Sequence, residues 1–174
     1  KYTVTYTDGI DDTEEGNIFD TQTKGELIYG AGMPPFEGNT DRDGYTFEGW
    51  QVNDTDQVIE TVPEKVTGNV IYTAKWTQNE YAVTYKLTKP EGVTVTVPVD
   101  GEKYHMGDSV TVKTLENIPA GYTFSGWSAA GITISADGKF TMPNGNVELV
   151  GTLTQDKYTV TYTDGIDDTE EGNI

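Results

Sequence analysis

Eighteen residues occur twice in this chain without a change: KYTVTYTDGIDDTEEGNI runs from residue 1 to 18 and again from residue 157 to 174. The offset is 156 residues, so the chain carries one full repeat and the opening of the next. Self-similarity at a fixed period restricts a chain to architectures that string one unit many times. Identity of this degree is what a recently copied array produces. A weaker repeat lies inside the first. Gly44-Tyr45-Thr46-Phe47-Glu48-Gly49-Trp50 recurs as Gly121-Tyr122-Thr123-Phe124-Ser125-Gly126-Trp127, Gly68-Asn69-Val70 as Gly145-Asn146-Val147, and Thr77-Gln78 as Thr154-Gln155, all 77 residues apart. Tyr2-Thr3-Val4-Thr5-Tyr6 matches Tyr81-Ala82-Val83-Thr84-Tyr85 at an offset of 79, so the first half carries two extra residues before its Gly-Tyr-Thr-Phe motif. The chain therefore divides into two related modules, residues 1–79 and 80–156, followed at 157–174 by the start of another copy.

Modules of this size lie near the lower end of what folds alone, where only about 60% of the chain surface is buried. Apolar content is modest at 34%, but 11% of residues are aromatic and eleven of those are Tyr. A large aromatic buries roughly 150–250 Å², on the order of 4–6 kcal/mol at about 25 cal/mol per Å² before entropy is counted. The recurring Tyr, Phe and Trp are thus expected to form the core. The formal charge of −18 repels phosphate backbones and anionic lipid, which excludes nucleic acid as a partner. No apolar run approaches the roughly 20 residues of a membrane span, and no membrane insertion is expected. With no cysteine, disulfides, thiol catalysis and Cys-based metal sites are absent.

Period-2 alternation dominates the patterning. Tyr2, Val4 and Tyr6 alternate with Thr3, Thr5 and Thr7, and Val70, Tyr72, Ala74 and Trp76 alternate with Ile71, Thr73, Lys75 and Thr77. Val93, Val95 and Val97 alternate with threonines, as do Val110 and Val112. These read as half-buried strands. Gly-, Asn-, Asp- and Pro-bearing breaks separate them, at residues 31–40, 136–138 and 143–145. Helical character is confined to a turn or two at residues 20–29 and 111–118, with Pro63 spoiling residues 57–66. The joints at 77–80 and 154–157 are short, polar and free of glycine, which favours a semi-rigid rod. Parity in Gly-Tyr-Thr-Phe-x-Gly-Trp breaks at the second glycine, which predicts a bulge that turns Trp50 and Trp127 into the core. The competing use of an exposed Trp is a carbohydrate-stacking platform. Residues 158–163 duplicate the first strand and are expected to be ordered by backbone pairing, either as a hairpin with residues 164–171 as its loop or by addition to another chain.

These motifs resemble known families. Tyr2-Thr3-Val4-Thr5-Tyr6-Thr7-Asp8-Gly9, Arg42-Asp43-Gly44-Tyr45-Thr46-Phe47-x-Gly49-Trp50 and Val66-Thr67-Gly68-Asn69-Val70-x-Tyr72-Thr73-Ala74-x-Trp76 resemble the Listeria–Bacteroides repeats, relatives of the internalin B-repeat. Tyr81-x-Val83-Thr84-Tyr85, Gly121 to Trp127 and Phe140-Thr141-Met142-Pro143-x-Gly145-x-Val147 are similar to the streptococcal high-identity (SHIRT) repeats, with Leu153 in place of the closing Trp. The resemblance implies a mainly β, small α+β fold of β-grasp-like kind with at most one short helix per module. It also implies wall-anchored extracellular proteins of Gram-positive bacteria, and it brings no catalytic residue, cofactor or metal site.

Candidate chemistry is sparse. The one histidine, His105, lies between Tyr104 and Met106 with no nucleophile implied. Asn39-Thr40-Asp41-Arg42-Asp43-Gly44 has the first half of an EF-hand-like pattern, but Trp50 stands where the bidentate Glu belongs and Arg42 repels a cation. Asp8, Asp11, Asp12 and Glu15 form an acidic cluster without ligand spacing, as solvated loops do. Lys75, Lys86 and Asn69 would suit a Lys–Asn isopeptide bond, though no diagnostic pattern marks them. Two functions follow as expectations. One is a non-enzymatic, monomeric stalk or spacer whose partners are neighbouring repeats and which projects a distal adhesive domain. The other is an adhesin module that itself grips a host protein or glycan.

Overall fold

The computed structural model describes residues 1–10 and 16–163. The chain splits into two compact units: Lys1–Ala82 with Glu102–Val110 and Thr141–Val147, and Val83–Gly101 with Thr111–Phe140 and Glu148–Ile174. Among the described residues ten strands account for the regular structure and there is no helix. The first unit carries β1 (Tyr2–Thr7), β2 (Gln22–Leu27), β3 (Tyr45–Val52), β4 (Val58–Ile59) and β5 (Val70–Gln78) in one sheet of order β2-β1-β5-β3-β4. β1 runs parallel to β5, with Val4 opposite Val70 and Thr7 opposite Thr73, and every other pairing is antiparallel. A central parallel pair flanked by hairpins is the β-grasp strand order, here with its crossover made by a non-helical loop over residues 28–44.

One face of this sheet is core. Val4, Tyr6, Trp50, Val66, Tyr72 and Ala74 are buried, and Phe19, Met33, Phe36 and Val62 from the loops close over them. The other face presents Thr3, Thr5, Thr7, Ile71 and Lys75. Alternation along β1 and β5 thus sorts side chains as the sequence predicted, because one buried face fixes register, except at Thr73, which is buried as well. The expected helical turn at residues 20–29 is instead β2. Thr23 Oγ1 meets Thr5 Oγ1 at 3.2 Å and Thr21 Oγ1 donates to Thr7 Oγ1 at 3.4 Å. β-branched residues and Gly25 favour such cross-strand pairs over a helix.

Beyond the first sheet, β6 (Val83–Thr88), β10 (Val147–Gln155) and β8 (Tyr122–Phe124) form a sheet of order β6-β10-β8, and β7 (Ser109–Thr111) pairs with β9 (Lys139–Thr141). β10 alternates strictly, with Val147, Leu149, Gly151 and Leu153 buried. Leu153, in place of the closing Trp, is 2% exposed and pairs with Phe124 as Trp76 pairs with Phe47. The helical turn expected at 111–118 does not form. Val112 N donates to Gly138 O and Lys113 N to Tyr85 Oη, so tertiary acceptors take the amides a helix would need. Val93 is buried and Val95 and Val97 half-buried, but no ladder forms there, and Pro98 removes a donor from that stretch. Residues 158–163, expected to pair, belong to no strand, and the proposed loop 164–171 lies outside the described residues.

Candidate functional site

The Gly-Tyr-Thr-Phe-x-Gly-Trp motif is the most informative place to build from. Register slips between Phe47 and Gly49: Phe47 faces Trp76, while Gly49 faces Lys75 and Trp50 faces Ala74. Glu48 is the extra residue, so Phe47 and Trp50 share one face despite their odd spacing. Gly49 has φ +128°, and a Cβ there would lie 2.4 Å from Ile59 O. Trp50 is 6% exposed among Tyr6, Phe36 and Phe47, at ring separations of 5.1, 5.1 and 5.4 Å. It is core and offers no glycan platform.

Trp127 repeats the arrangement less completely. It meets Tyr85 at 5.0 Å and Phe124 at 4.9 Å, edge-on in both cases, as Trp50 meets Tyr6 and Phe47. Gly151 lies beneath, where a Cβ would come within 2.5 Å of the Phe124 ring and 2.9 Å of Trp127. Among the described residues nothing corresponds to Phe19 and Phe36, so Trp127 is half-buried and its indole N–H is enclosed with no acceptor among them. An apolar cavity of about 380 Å³ opens beside it, lined by Leu115, Ile118, Phe124 and Ile134 among others. In the first unit a second cavity of about 350 Å³ has Met33, Val52, Ile59 and Tyr72 in its wall and Asn53, Lys65 and Asn69 with them.

The polar candidates are taken up by the backbone. His105 Nδ1 lies 2.9 Å from Asn79 O, and its own amide donates to Asp108 Oδ2 at 2.7 Å, which makes it a turn residue. In the EF-hand-like stretch, Asp41 N donates to Asn39 Oδ1 at 2.8 Å, and Arg42 stacks 3.9 Å over the Tyr45 ring and 5.5 Å from the Trp76 ring. Trp76 Nε1 donates to Thr40 O at 2.8 Å. That stretch is a closed turn with a cation already in it. Asp8 is buried and accepts Ile10 N at 2.8 Å and Ile18 N at 2.6 Å, which closes its loop. Asp11, Asp12 and Glu15 lie outside the described residues. No three acidic or imidazole groups converge among the described residues. Lys86 pairs at 3.9 Å with exposed Glu148, and Asn69 Oδ1 accepts Thr3 N at 2.9 Å, so the isopeptide candidates are not brought together.

Sequence reasoning missed what Asn69 and Asn146 do. Asn69 Oδ1 accepts Thr3 N, and Asn146 Oδ1 accepts Ala82 N at 2.8 Å. Each amide side chain pins the entry of a strand to the one beside it. The Thr of each motif is likewise matched: Thr46 Oγ1 donates to Asn79 Oδ1 and Thr123 Oγ1 to Asp156 Oδ1, both at 2.6 Å. Asn79 N reaches Gly44 O and Asp156 N reaches Gly121 O, both at 2.8 Å. The signal was the 77-residue offset, which relates Gly-Asn-Val to Gly-Asn-Val and Asn79 to Asp156.

Burial also sets the tyrosines. Enclosure and then the neighbouring Tyr72 push the Tyr6 phenol up to about 12. Burial raises Tyr72 and Tyr85, the latter despite the Lys113 amide that favours its phenolate. These are core hydroxyls, with Tyr6 Oη donating to Pro34 O at 2.7 Å.

No curated protein matches the chain. Among solved structures it is similar to Streptococcal High Identity Repeats in Tandem (SHIRT) domains 3-4 from a cell surface protein, with 13% identity, a TM-score of 0.34, and 88% of this chain and 97% of that one covered. The model of the divergent InlB B-repeat domain matches residues 36–80 and again residues 83–157, more than half of the chain and both of its motif-bearing stretches. The chain belongs to the divergent InlB B-repeat domain family.

Proposed function

We propose that this chain is a spacer segment of a bacterial cell-surface protein, a stalk repeat that carries a distal adhesive domain and performs no catalysis. One observation carries the reading: the repeated residues build the same antiparallel strand pairing twice, within sheets of five and of three strands. Phe47–Trp76 and Phe124–Leu153, Asn69 and Asn146, and Thr46–Asn79 and Thr123–Asp156 occupy equivalent places in the two sequence modules. Repetition here serves architecture, as expected where a chain gains length by copying one unit. The resemblance to repeats of wall-anchored Gram-positive proteins supplies the extracellular, wall-attached setting. The acidic surface suits a solvated element that avoids neighbouring anionic polymers.

The test displays one, three or six copies of the 156-residue repeat on a bacterial surface beneath a distal epitope tag. The distance of the tag from the cell should grow with copy number, and the repeats alone should retain no host protein or glycan. A second reading, an adhesin module, has the cavity beside Trp127 as its support. Host binding that is lost in Trp127→Ala, with tag distance indifferent to copy number, would replace the spacer by that reading.

A further inference from the structure

Residues 27–31 and 104–108 form the same turn, 77 residues apart. Tyr2 pairs with Leu27 as Tyr81 pairs with Tyr104, and Ala31 N donates to Ile28 O as Asp108 N donates to His105 O, both at 3.1 Å. Gly30 and Gly107 stand at φ +81° and +90°, and their amides donate to Val66 O and Met142 O. The later turn closes the joint with the preceding module. His105 Nδ1 lies 2.9 Å from Asn79 O, and Met106 covers Gly44 so closely that a Cβ there would come within 2.9 Å of it. All the residues of this joint fall within the first compact unit. The earlier turn carries Ile28 and Tyr29 in the places of His105 and Met106, and these two are 67% and 70% exposed. The receiving half of the joint is duplicated as well. Asp156 N donates to Gly121 O as Asn79 N donates to Gly44 O, both at 2.8 Å. Gly121 has φ +83°, and a Cβ there would meet no described atom within 4 Å.

We propose that Ile28 and Tyr29 are a docking surface for the Gly121–Asp156 end of a preceding copy of the repeat. The occupant is a second copy because both halves duplicate a joint the structure contains, in which His105 and Met106 meet Asn79 and Gly44. The linkers match too. A single residue, Glu80 or Lys157, separates Asn79 or Asp156 from the tyrosine that opens the next module. From that tyrosine, the pairing of Tyr2 with Leu27 leads to Tyr29 as the pairing of Tyr81 with Tyr104 leads to Met106. The Tyr29 ring takes the place of Met106 on bare glycine backbone, and Ile28 takes the place of the imidazole. This second joint is therefore held by apolar contact, without the hydrogen bond that His105 makes. One joint geometry then recurs through the array, and each module is coupled only to its neighbours. The inference rests on the repetition of the unit and not on the spacer role.

The test uses two full repeats in tandem followed by residues 157–174, and it exploits the absence of cysteine. The contact of Met106 with Gly44 is close enough for a disulfide, and its duplicate should be as well. With Gly121→Cys in the first copy, Tyr29→Cys in the second should form the disulfide roughly tenfold faster than Val99→Cys in the second. Val99 is the control because it is freely accessible, at 81% exposed. A second measurement leaves the glycine in place. Ile28→Asp together with Tyr29→Asp should lower the urea midpoint about threefold more in the second copy than in the first, where the same side chains face solvent. The two variants have the same composition, so local propensity and charge cancel between them. A disulfide no faster at Tyr29 than at Val99, or equal midpoint shifts from the two copies, would each overturn the proposal.

Discussion

Gly49 shows how one residue type decides the core of the first unit. Its φ of +128° is hard for any side chain, and the space its Cβ would need is held by Ile59 O at 2.4 Å. Backbone, unlike a rotamer, has no cheap escape. Gly49→Ala should therefore lower stability by more than ~1 kcal/mol and flatten the bulge that brings Trp50 onto Tyr6, seen in urea melts and in Trp fluorescence. Gly126, at φ +83° with open space around it, should tolerate alanine better. Tyr6 sets an alkaline limit. Its pKa in the fold, about 12, lies above the 10.0 of an unfolded chain, so the protonated phenol is the form the fold favours. Its contribution is full below pH 10 and is lost as pH climbs toward 12, where a phenolate cannot donate to Pro34 O. Ultraviolet titration should show Tyr6 ionising together with unfolding in that window, and Tyr6→Phe should unfold with a shallower pH dependence there.

At the scale of elements, the antiparallel pairs β3–β5 and β8–β10 are one design with a 77-residue offset, down to the pairing of Thr46 with Thr77 and Thr123 with Thr154. Asn69 and Asn146 tie these pairs to β1 and to the residue that leads into β6. Asn69→Ala and Asn146→Ala should each cost about 0.5–1.5 kcal/mol, with similar values in chemical denaturation because the two bonds are alike. A cost at Asn69 alone would mean the Asn146 bond is incidental. This duplication explains what the sequence made legible. Alternation revealed β1 and β5, and the parity break at Gly49 revealed the bulge in β3, because a buried face leaves a period-2 imprint. β2 was not legible, since Gln22, Lys24 and Glu26 carry no apolar imprint and the strand is held by its neighbour's amides and by threonine pairs. Val93 to Val97 misled for the converse reason: alternation records burial, and burial there comes without a ladder. The cavity at Trp127 was illegible because it arises from the lack of any counterpart to Phe19 and Phe36, and a missing side chain leaves no motif.

At the scale of the molecule, sequence and structure draw boundaries by different criteria. The offsets divide the chain near residue 80, by descent of one module from another. Compactness instead gathers Glu102–Val110 and Thr141–Val147 into the unit that contains Lys1–Ala82. The contacts behind that grouping are specific: Tyr81 exchanges backbone hydrogen bonds with Tyr104 at 2.7 and 3.0 Å, His105 Nδ1 meets Asn79 O, and Met106 packs where Gly44 has no side chain. A cavity at Trp50 should then be felt well beyond residue 80. Trp50→Ala removes the ring on which Tyr6, Phe36 and Phe47 pack and should cost about 3–5 kcal/mol, a large part of what a marginal unit has. In hydrogen exchange, peptides from residues 102–110 and 141–147 should lose protection in step with those from β1, β3 and β5. Peptides from β8 and from residues 148–155 should keep theirs far longer, because their buried Leu149 and Leu153 and the ring pair of Phe124 and Trp127 belong to the other unit. Protection retained at 102–110 while β5 exchanges freely would show that the offset boundary, not the compact one, marks where cooperativity ends.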